Sequence, residues 1–310
     1  LNQLGRHVLE YVIHDFSEKF YKQFPPVHTA DADKNPVTLS AVDEQQLRDI
    51  TDALDIALFD FDLDETLDLA VLRKTAVEVY RNRGPDGWQL IGQCPVPAGM
   101  KRLLVADLDR DVQKKNTAGF EISDEDLIVY GEGGYRFLEN SQAAAPQQRQ
   151  LIERKSPLTL DPGAAIQQPL ATDIDHDGDL DLVMASSTGI SLWINQEKWT
   201  FTERTSGSLL KGSETVKPVS LAAVDWDRNV LVDILVGHDQ APLARLENIR
   251  HGRFRWQALK KDLGPPAGLN QLVPCEMDGN GSWDLLAAHD QGISLTLTST
   301  RPGESVWATR

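Results

Sequence analysis

The sequence predicts an all-β fold built from repeated units of four short strands, and three observations predict it. From Asp55 onward, short β-type runs alternate with clusters of Gly, Asn, Asp and Pro. An acidic stretch recurs five times, as FDFDLDETLDLAV from Phe59, ADLDRDV from Ala106, TDIDHDGDLDLVM from Thr172, VDWDRNVLVDILV from Val224 and CEMDGNGSWDLLA from Cys275. The tails of the units also match. VEVYRNRGPDGWQLIG, GISLWINQEKWTFTE and ARLENIRHGRFRWQAL each give a strand, a turn carrying Asn82, Asn195 or Asn248, and an aromatic start to the next strand at Trp88, Trp199 or Phe254.

Taken in order, the chain opens with an amphipathic helix. Over residues 1–25, Val8, Tyr11, Val12, Phe16 and Phe20 fall on one helical face, and Pro25 and Pro26 end the run. HTADADKNP, from His28 to Pro36, is a polar linker, and Asp43 to Leu54 reads as a second short helix. Residues 1–50 thus form a helical and linker segment, or part of a further unit, ahead of a repeat domain at 51–310.

The acidic loops begin at Asp60, Asp107, Asp173, Asp225 and Glu276, steps of 47, 66, 52 and 51 residues. The period is near fifty with one insertion. Four loops place their first and last acidic positions eight apart; in the second, the matching partner is Asp126 in EDLIVYG, so the extra residues around QKKNTAGFEIS enlarge the loop itself. SQAAAPQQRQ, from Ser141, has the composition of an exposed loop. One strand before each loop, one directly after it and then a hairpin make four antiparallel strands per unit, which at this length is a propeller blade. Five blades are visible, and six or seven are open if the first fifty residues or sequence beyond this chain contribute.

The third loop is the most regular. Asp173, Asp175, Asp177 and Asp181 surround a bend at Gly178, and a largely apolar run follows. Oxygen donors at alternate positions, bent by a glycine, suit a calcium ion with six to eight oxygen ligands. The competing reading makes the aspartates turn formers that bond their own backbone. Crowding favours metal, because three carboxylates in one loop repel strongly without a cation. An EF-hand is excluded because Val71 and Met184 stand where its bidentate Glu would be.

The acidic loop, the following D-L-x-V strand and the Asn-containing hairpin together resemble the FG-GAP and VCBS repeats, the calcium-bearing blades also found in integrin alpha-chain heads. The resemblance spans residues 55 to 310. It implies side-chain ligands at loop positions one, three, five and nine, with a backbone carbonyl at seven. Those positions are Asp173, Asp175, Asp177, the carbonyl of Asp179, and Asp181 in the third loop; Asp60, Asp62, Asp64 and Asp68 in the first, where Glu65 replaces the glycine. The fourth offers Asp225, Asp227, Asn229 and Asp233, and the fifth Glu276, Asp278, Asn280 and Asp284, with fewer or longer carboxylates and so weaker expected affinity. The second, with Asp107, Asp109, Asp111 and Asp126, departs most. Calcium in these loops is expected to be structural.

Bulk composition narrows the function. With 41% apolar residues the chain supports a core, and its net charge of −16 argues against nucleic acid and anionic membranes as partners. Cys94 and Cys275 are too few for a disulfide framework; a single bridge and two free thiols are both open. No run is long and apolar enough for a transmembrane segment, and no signal peptide is present, although a start at Leu1 points to a processed product or an excised piece. The seven histidines fall in no catalytic motif. The tryptophans read as inter-sheet core ahead of a sugar platform. The expected function is a non-enzymatic binding or scaffold module for protein or carbohydrate partners. The alternatives are a lectin, or a propeller lyase or hydrolase on acidic glycans, which would need a basic cluster such as Arg110, Lys114 and Lys115 beside the metal. Exposed-loop calcium sites suit an extracellular, periplasmic or cell-surface setting.

Overall fold

The computed structural model describes residues 47, 50–115, 121–142, 149–206, 217–238, 242–259, 268–277, 281–301 and 304–309. The chain divides into units 1–45 and 46–310, and the described residues fall in the second. The helix expected over residues 1–25 lies outside them, as does half of that expected over 43–54, of which Leu47 is helical. Residues 51–54 of the latter are not helical, and the Leu54 N–H instead donates to the Leu72 carbonyl (2.8 Å).

Five four-stranded antiparallel sheets follow one another. Blade 1 is β1 (Asp55–Phe59), β2 (Asp68–Leu72), β3 (Ala76–Asn82) and β4 (Trp88–Pro95). Blade 2 is β5 (Met100–Ala106), β8 (Asp126–Gly131), β9 (Gly134–Gln142) and β10 (Arg149–Arg154); between its first two strands the insertion forms a separate hairpin, β6 (Val112–Lys115) with β7 (Glu121–Ser123). Blade 3 is β11 (Ile166–Thr172), β12 (Asp181–Ser186), β13 (Gly189–Asn195) and β14 (Phe201–Glu203). Blade 4 is β15 (Pro218–Val224), β16 (Asp233–His238), β17 (Ala244–Asn248) and β18 (Phe254–Ala258). Blade 5 is β19 (Leu269–Cys275), β20 (Asp284–His289), β21 (Gly292–Arg301) and β22 (Glu304–Thr309). First strands of successive blades pack against one another, β1 on β5, β5 on β11, β11 on β15 and β15 on β19, so they are the inner strands of a β-propeller.

The second strands explain the stacking. DLAVL, DLIVYG, DLVMAS and DILVGH are buried along their whole length, because both faces are covered: by neighbouring blades in blades 2 to 4, and in blade 1 by blade 2 on one side and by Leu47, Ile50 and Trp88 on the other. Four apolar clusters fill the junctions. Phe59, Phe61 and Val79 meet Leu127 and Leu138 between blades 1 and 2; Leu108 and Phe137 meet Trp193 between 2 and 3; Ile174 and Leu192 meet Ile234 and Phe254 between 3 and 4; Leu235 and Leu243 meet Leu285 between 4 and 5. Six tryptophans, from Trp88 to Trp283, are buried or partly buried against these clusters or against the outer layer of Leu69, Val71 and Tyr80. The two cysteines are free.

The same side-chain position stitches inner strands together. Five residues ahead of the acidic loop, Asp55 accepts the Leu103 N–H (2.8 Å), Gln168 exchanges two hydrogen bonds with Leu221 (2.9 Å each), and the Ser220 hydroxyl accepts the Leu272 N–H (3.0 Å). Blades 2 to 5 also share a register shift just before this position, between Met100 and Arg102, Ile166 and Gln168, Pro218 and Ser220, and Leu269 and Gln271. A bulge there adds local twist to the inner strand.

Candidate metal loops

The third loop sets the pattern. Asp173 folds the turn, its Oδ1 accepting the N–H groups of His176 (2.7 Å) and Asp177 (3.2 Å) and its Oδ2 that of Gly178 (3.1 Å). Asp177 Oδ1 accepts the Asp179 N–H (3.0 Å). The bend uses left-handed backbone at His176 (φ 64°) and Gly178 (φ 94°). Asp181 is fully buried and ties the loop to its blade, accepting Ile174 N–H (2.8 Å) on Oδ2 and Asn195 N–H (2.8 Å) on Oδ1. Turn formation therefore accounts for Asp173 and Asp177, but not for Asp175, whose buried Oδ1 has no hydrogen-bond partner. One oxygen each of Asp173, Asp175 and Asp181 lie within 4.8 Å of one another. Burial pushes the Asp181 carboxyl up to about 7, opposed by its two N–H donors, and raises Asp175 as well. A cation would relieve both.

Blade 1 repeats this arrangement. Asp60 accepts the N–H groups of Asp64 (3.0 Å) and Glu65 (2.8 Å), and Asp64 accepts that of Thr66 (2.9 Å). Glu65 takes the left-handed bend (φ 72°) that glycine takes in blade 3. Asp60, Asp62 and Asp68 converge. Asp68 accepts the Asn82 N–H (2.8 Å) on Oδ1, its buried Oδ2 lacks a hydrogen-bond partner, and burial lifts it to about 6. Arg81, from the rim of β3, pairs with Asp62.

Blade 2 assembles its loop across the insertion. Asp126, at the start of β8, accepts Leu108 N–H (3.2 Å) and Asn140 N–H (3.0 Å) as Asp181 accepts its counterparts, and with Asp107 and Asp109 it forms a converging group. Burial, reinforced by the charge of Asp109, drives Asp126 up to about 8. A second group, Asp109, Asp111 and Asp124, shares Asp109. Asp124 is buried and pairs with Arg149 of β10, whose guanidinium also donates to the Asn140 side-chain oxygen (2.8 Å) and carbonyl (2.7 Å).

Blade 4 keeps the turn and changes its contents. Asp225 accepts Asn229 N–H and Val230 N–H (2.9 Å each), and buried Asp233 accepts Trp226 N–H (3.2 Å) and Asn248 N–H (2.8 Å). Asp225, Asp227 and Asp233 are not among the converging groups of the described residues. The Arg245 guanidinium pairs with both Asp227 and Asp233. In blade 5, Asp284 is buried and accepts Met277 N–H and Thr298 N–H (2.8 Å each), Glu276 is exposed, and Asp278 and Asn280 lie outside the described residues.

Loops 1 to 4 are also joints to the next blade. The carbonyl at loop position two accepts a hydrogen bond from the third-strand asparagine of the next blade: Asn140 Nδ2 to Phe61 (3.0 Å), Asn195 Nδ2 to Leu108 (3.0 Å) and Asn248 Nδ2 to Ile174 (2.9 Å). Trp199 Nε1 donates to Asp109 (2.7 Å), and Trp283 Nε1 to the Asp225 carbonyl (2.8 Å). Arg110 of loop 2 reaches Asp179 of loop 3 (2.5 Å) and lies 3.9 Å from Glu197. It is engaged in an inter-blade ion pair; the Lys114 and Lys115 side chains lie outside the described residues.

Sequence reasoning did not single out Asp124, Arg81, Arg149 or Arg245, or the side chain of Asp179. The arginines lie on later strands of the same blade, and only strand pairing brings them to the loops they enter. Only Asp124 carried a local signal, its place two residues ahead of Asp126.

The family model for the FG-GAP-like repeat matches residues 173–236, which run from the third acidic loop into β16. No curated protein matches. Among solved structures, one of an Agrocybe aegerita lectin, described for its specific recognition of non-reducing terminal N-acetylglucosamine, is similar with a TM-score of 0.50 and 15% identity over 82% of this chain. The match spans 65% of the lectin's length. At that identity the likeness concerns the fold, and it agrees with the sheet order. The chain is therefore a β-propeller of four-stranded blades that carries an FG-GAP-like repeat and, in blades 1 to 3, aspartate clusters able to hold a metal ion.

Proposed function

We propose that this chain is a binding module whose blade corners are held by calcium and whose surface takes a carbohydrate or protein partner outside the reducing cytosol. The observation that carries the calcium part is the convergence of Asp173, Asp175 and Asp181, with one buried oxygen of Asp175 left without a hydrogen-bond partner. All-oxygen donors of this kind suit calcium over softer metals. In blade 3 the residues holding it would be Asp173, Asp175, Asp177 and Asp181; in blade 1 Asp60, Asp62, Asp64 and Asp68; in blade 2 Asp107, Asp109 and Asp126. Bound calcium would offset the crowded charge and brace a joint that the next blade already grips through its asparagine.

The carbohydrate arm is supported by the similarity to the lectin, whose described ligand makes glycans ending in N-acetylglucosamine the first probes. The enzymatic alternative on acidic glycans has less support, because Arg110 is committed to Asp179. No described helix is long and apolar enough to cross a membrane. Calcium binding is tested by calorimetric titration of metal-stripped protein: saturable heat whose stoichiometry falls by one site in Asp175→Asn, with a calcium-dependent rise in melting temperature, is expected. Absence of calcium binding would overturn this reading of the loops. For the partner, a glycan array with N-acetylglucosamine-terminated and uronic-acid glycans is the direct assay. Binding without turnover supports the module, and depolymerisation of uronate chains would replace it with the enzyme.

A further inference from the structure

We infer that the acidic loop of blade 4 is a metal-free corner whose resident cation is the guanidinium of Arg245. The argument starts from register. Counting back three residues from the third-strand asparagine or its equivalent gives Val79, Phe137, Leu192, Arg245 and Leu295 in blades 1 to 5. Each pairs with the residue two beyond the buried aspartate of its second strand: Ala70, Ile128, Val183, Leu235 and Leu286. Four blades place an apolar side chain there; blade 4 places a charge.

That charge is 8% exposed, so it must be paired to be tolerated. Arg245 Nη2 lies 2.7 Å from Asp227 Oδ2 and 2.7 Å from Asp233 Oδ2, and its Nε donates to Asp233 Oδ2 at 3.0 Å. Asp227 and Asp233 occupy loop positions three and nine. In blade 3 the same positions, Asp175 and Asp181, converge with position one. A calcium ion needs such oxygens at about 2.3–2.6 Å. In blade 4 they are already spent on a guanidinium that neutralises one charge and supplies directed donors.

The rest of the loop has changed in step. Asn229 replaces the position-five carboxylate, Val230 adopts the left-handed bend (φ 76°) where blade 3 has Gly178, and the three remaining carboxylates are not brought together. Blade 1 also brings a guanidinium to position three, Arg81 on Asp62, but it leaves position nine, Asp68, free to converge with Asp60 and Asp62, whereas Arg245 holds positions three and nine together; blade 2 pairs Arg149 with buried Asp124 beside its metal group. The guanidinium has one consequence that calcium lacks: the joint that loop 4 itself makes with blade 5, where Trp283 Nε1 donates to the Asp225 carbonyl (2.8 Å), holds when calcium is withdrawn.

The test is calcium stoichiometry of the folded chain by native mass spectrometry and equilibrium dialysis, for the parent, Asp227→Asn, Arg245→Leu and the double variant. Leu is the residue that blade 3 carries at this position, as Leu192. The expected result is an unchanged calcium count in Asp227→Asn, one additional calcium in Arg245→Leu, and loss of that addition in the double variant. A lower count in Asp227→Asn than in the parent would overturn the inference, as would an Arg245→Leu chain that gains no calcium. If Arg245→Leu does not fold, the Asp227→Asn count decides alone. A parent that binds no calcium removes the wider calcium reading but leaves this one standing if Arg245→Leu acquires a site.

Discussion

Replacing Asn195 by alanine tests whether the acidic loops join blades or merely decorate them. Asn195 is 1% exposed; its Nδ2 donates to the Leu108 carbonyl of blade 2 (3.0 Å) and the Leu180 carbonyl of its own blade (3.1 Å), and its Oδ1 accepts the Glu197 N–H (3.0 Å). Three hydrogen bonds at about 1 kcal/mol each, with two carbonyls left unpaired, put the loss at roughly 3–4 kcal/mol. At about 2–4 °C per kcal/mol for a domain of this size, the melting temperature should fall by roughly 6–16 °C. Asn82 is the internal control. It makes the local bonds, Nδ2 to the Leu67 carbonyl (3.2 Å) and Oδ1 from the Gly84 N–H (2.9 Å), in a half-exposed setting and with no bond to another blade. Asn82→Ala should therefore cost about 1–2 kcal/mol. Chemical denaturation monitored by tryptophan fluorescence and circular dichroism measures both variants. Equal losses for the two would refute the inter-blade role, and so would an Asn195→Ala chain as stable as the parent.

Three further outcomes follow from the same geometry. Chelation should lower the melting temperature, since each site at a hundredfold excess of calcium over Kd contributes about 2.7 kcal/mol, and scanning calorimetry with and without EDTA measures it. In metal-free protein, Asp68, Asp126 and Asp181 have folded-state values of about 6, 8 and 7, above the unfolded carboxylate value of 3.8. The native state then binds more protons than the unfolded one through this window, so the contribution of these groups to stability is fully present below about pH 3.8 and is lost as pH rises through about 6 to 8. The increment due to calcium should run the opposite way and be larger at pH 8 than at pH 5, and a pH-independent increment in paired melts would contradict the burial of these groups. Gly134→Ala should displace the connection between β10 and β11 from blade 2, because a Cβ there would sit 1.9 Å from the Pro162 carbonyl oxygen on a backbone with φ 103°. A loss of more than about 3 kcal/mol is expected in denaturant titration, and a tolerated alanine would show that the Pro162 turn yields.

The carbohydrate and calcium arms of the functional proposal are separable in the laboratory. A chain that loses stability in EDTA yet keeps its glycan binding at low temperature would place the ligand away from the loops. Loss of binding at once with calcium would place it on them. The loops already commit most of their polar atoms to neighbouring blades, as at Asp109 with Trp199 and Asp179 with Arg110. That commitment favours a structural role.

What the sequence determined by itself was periodic and local. An aspartate that opens a turn, a second that opens a buried strand eight residues later, and an asparagine at the end of the following hairpin are short-range patterns, so the blades, their order and the loop starts could all be read from spacing. Even the enlarged second loop was legible, because EDLIVYG has the same strand signature as DLDLVM. Which side chains meet in each loop was decided only by tertiary structure. Nothing local distinguishes Arg245 in ARLEN from an exposed strand arginine; it becomes the cation of a corner because antiparallel pairing sets it opposite Leu235, two residues beyond Asp233. Likewise Asn195 and Asn248 read as turn residues and Asn140 carried no signal, yet each spends its side chain on a carbonyl of the preceding blade, 74 to 87 residues earlier. Charge compensation and inter-blade bonding depend on which strands meet, and a repeat specifies its own hairpins more directly than the partners it acquires when blades stack.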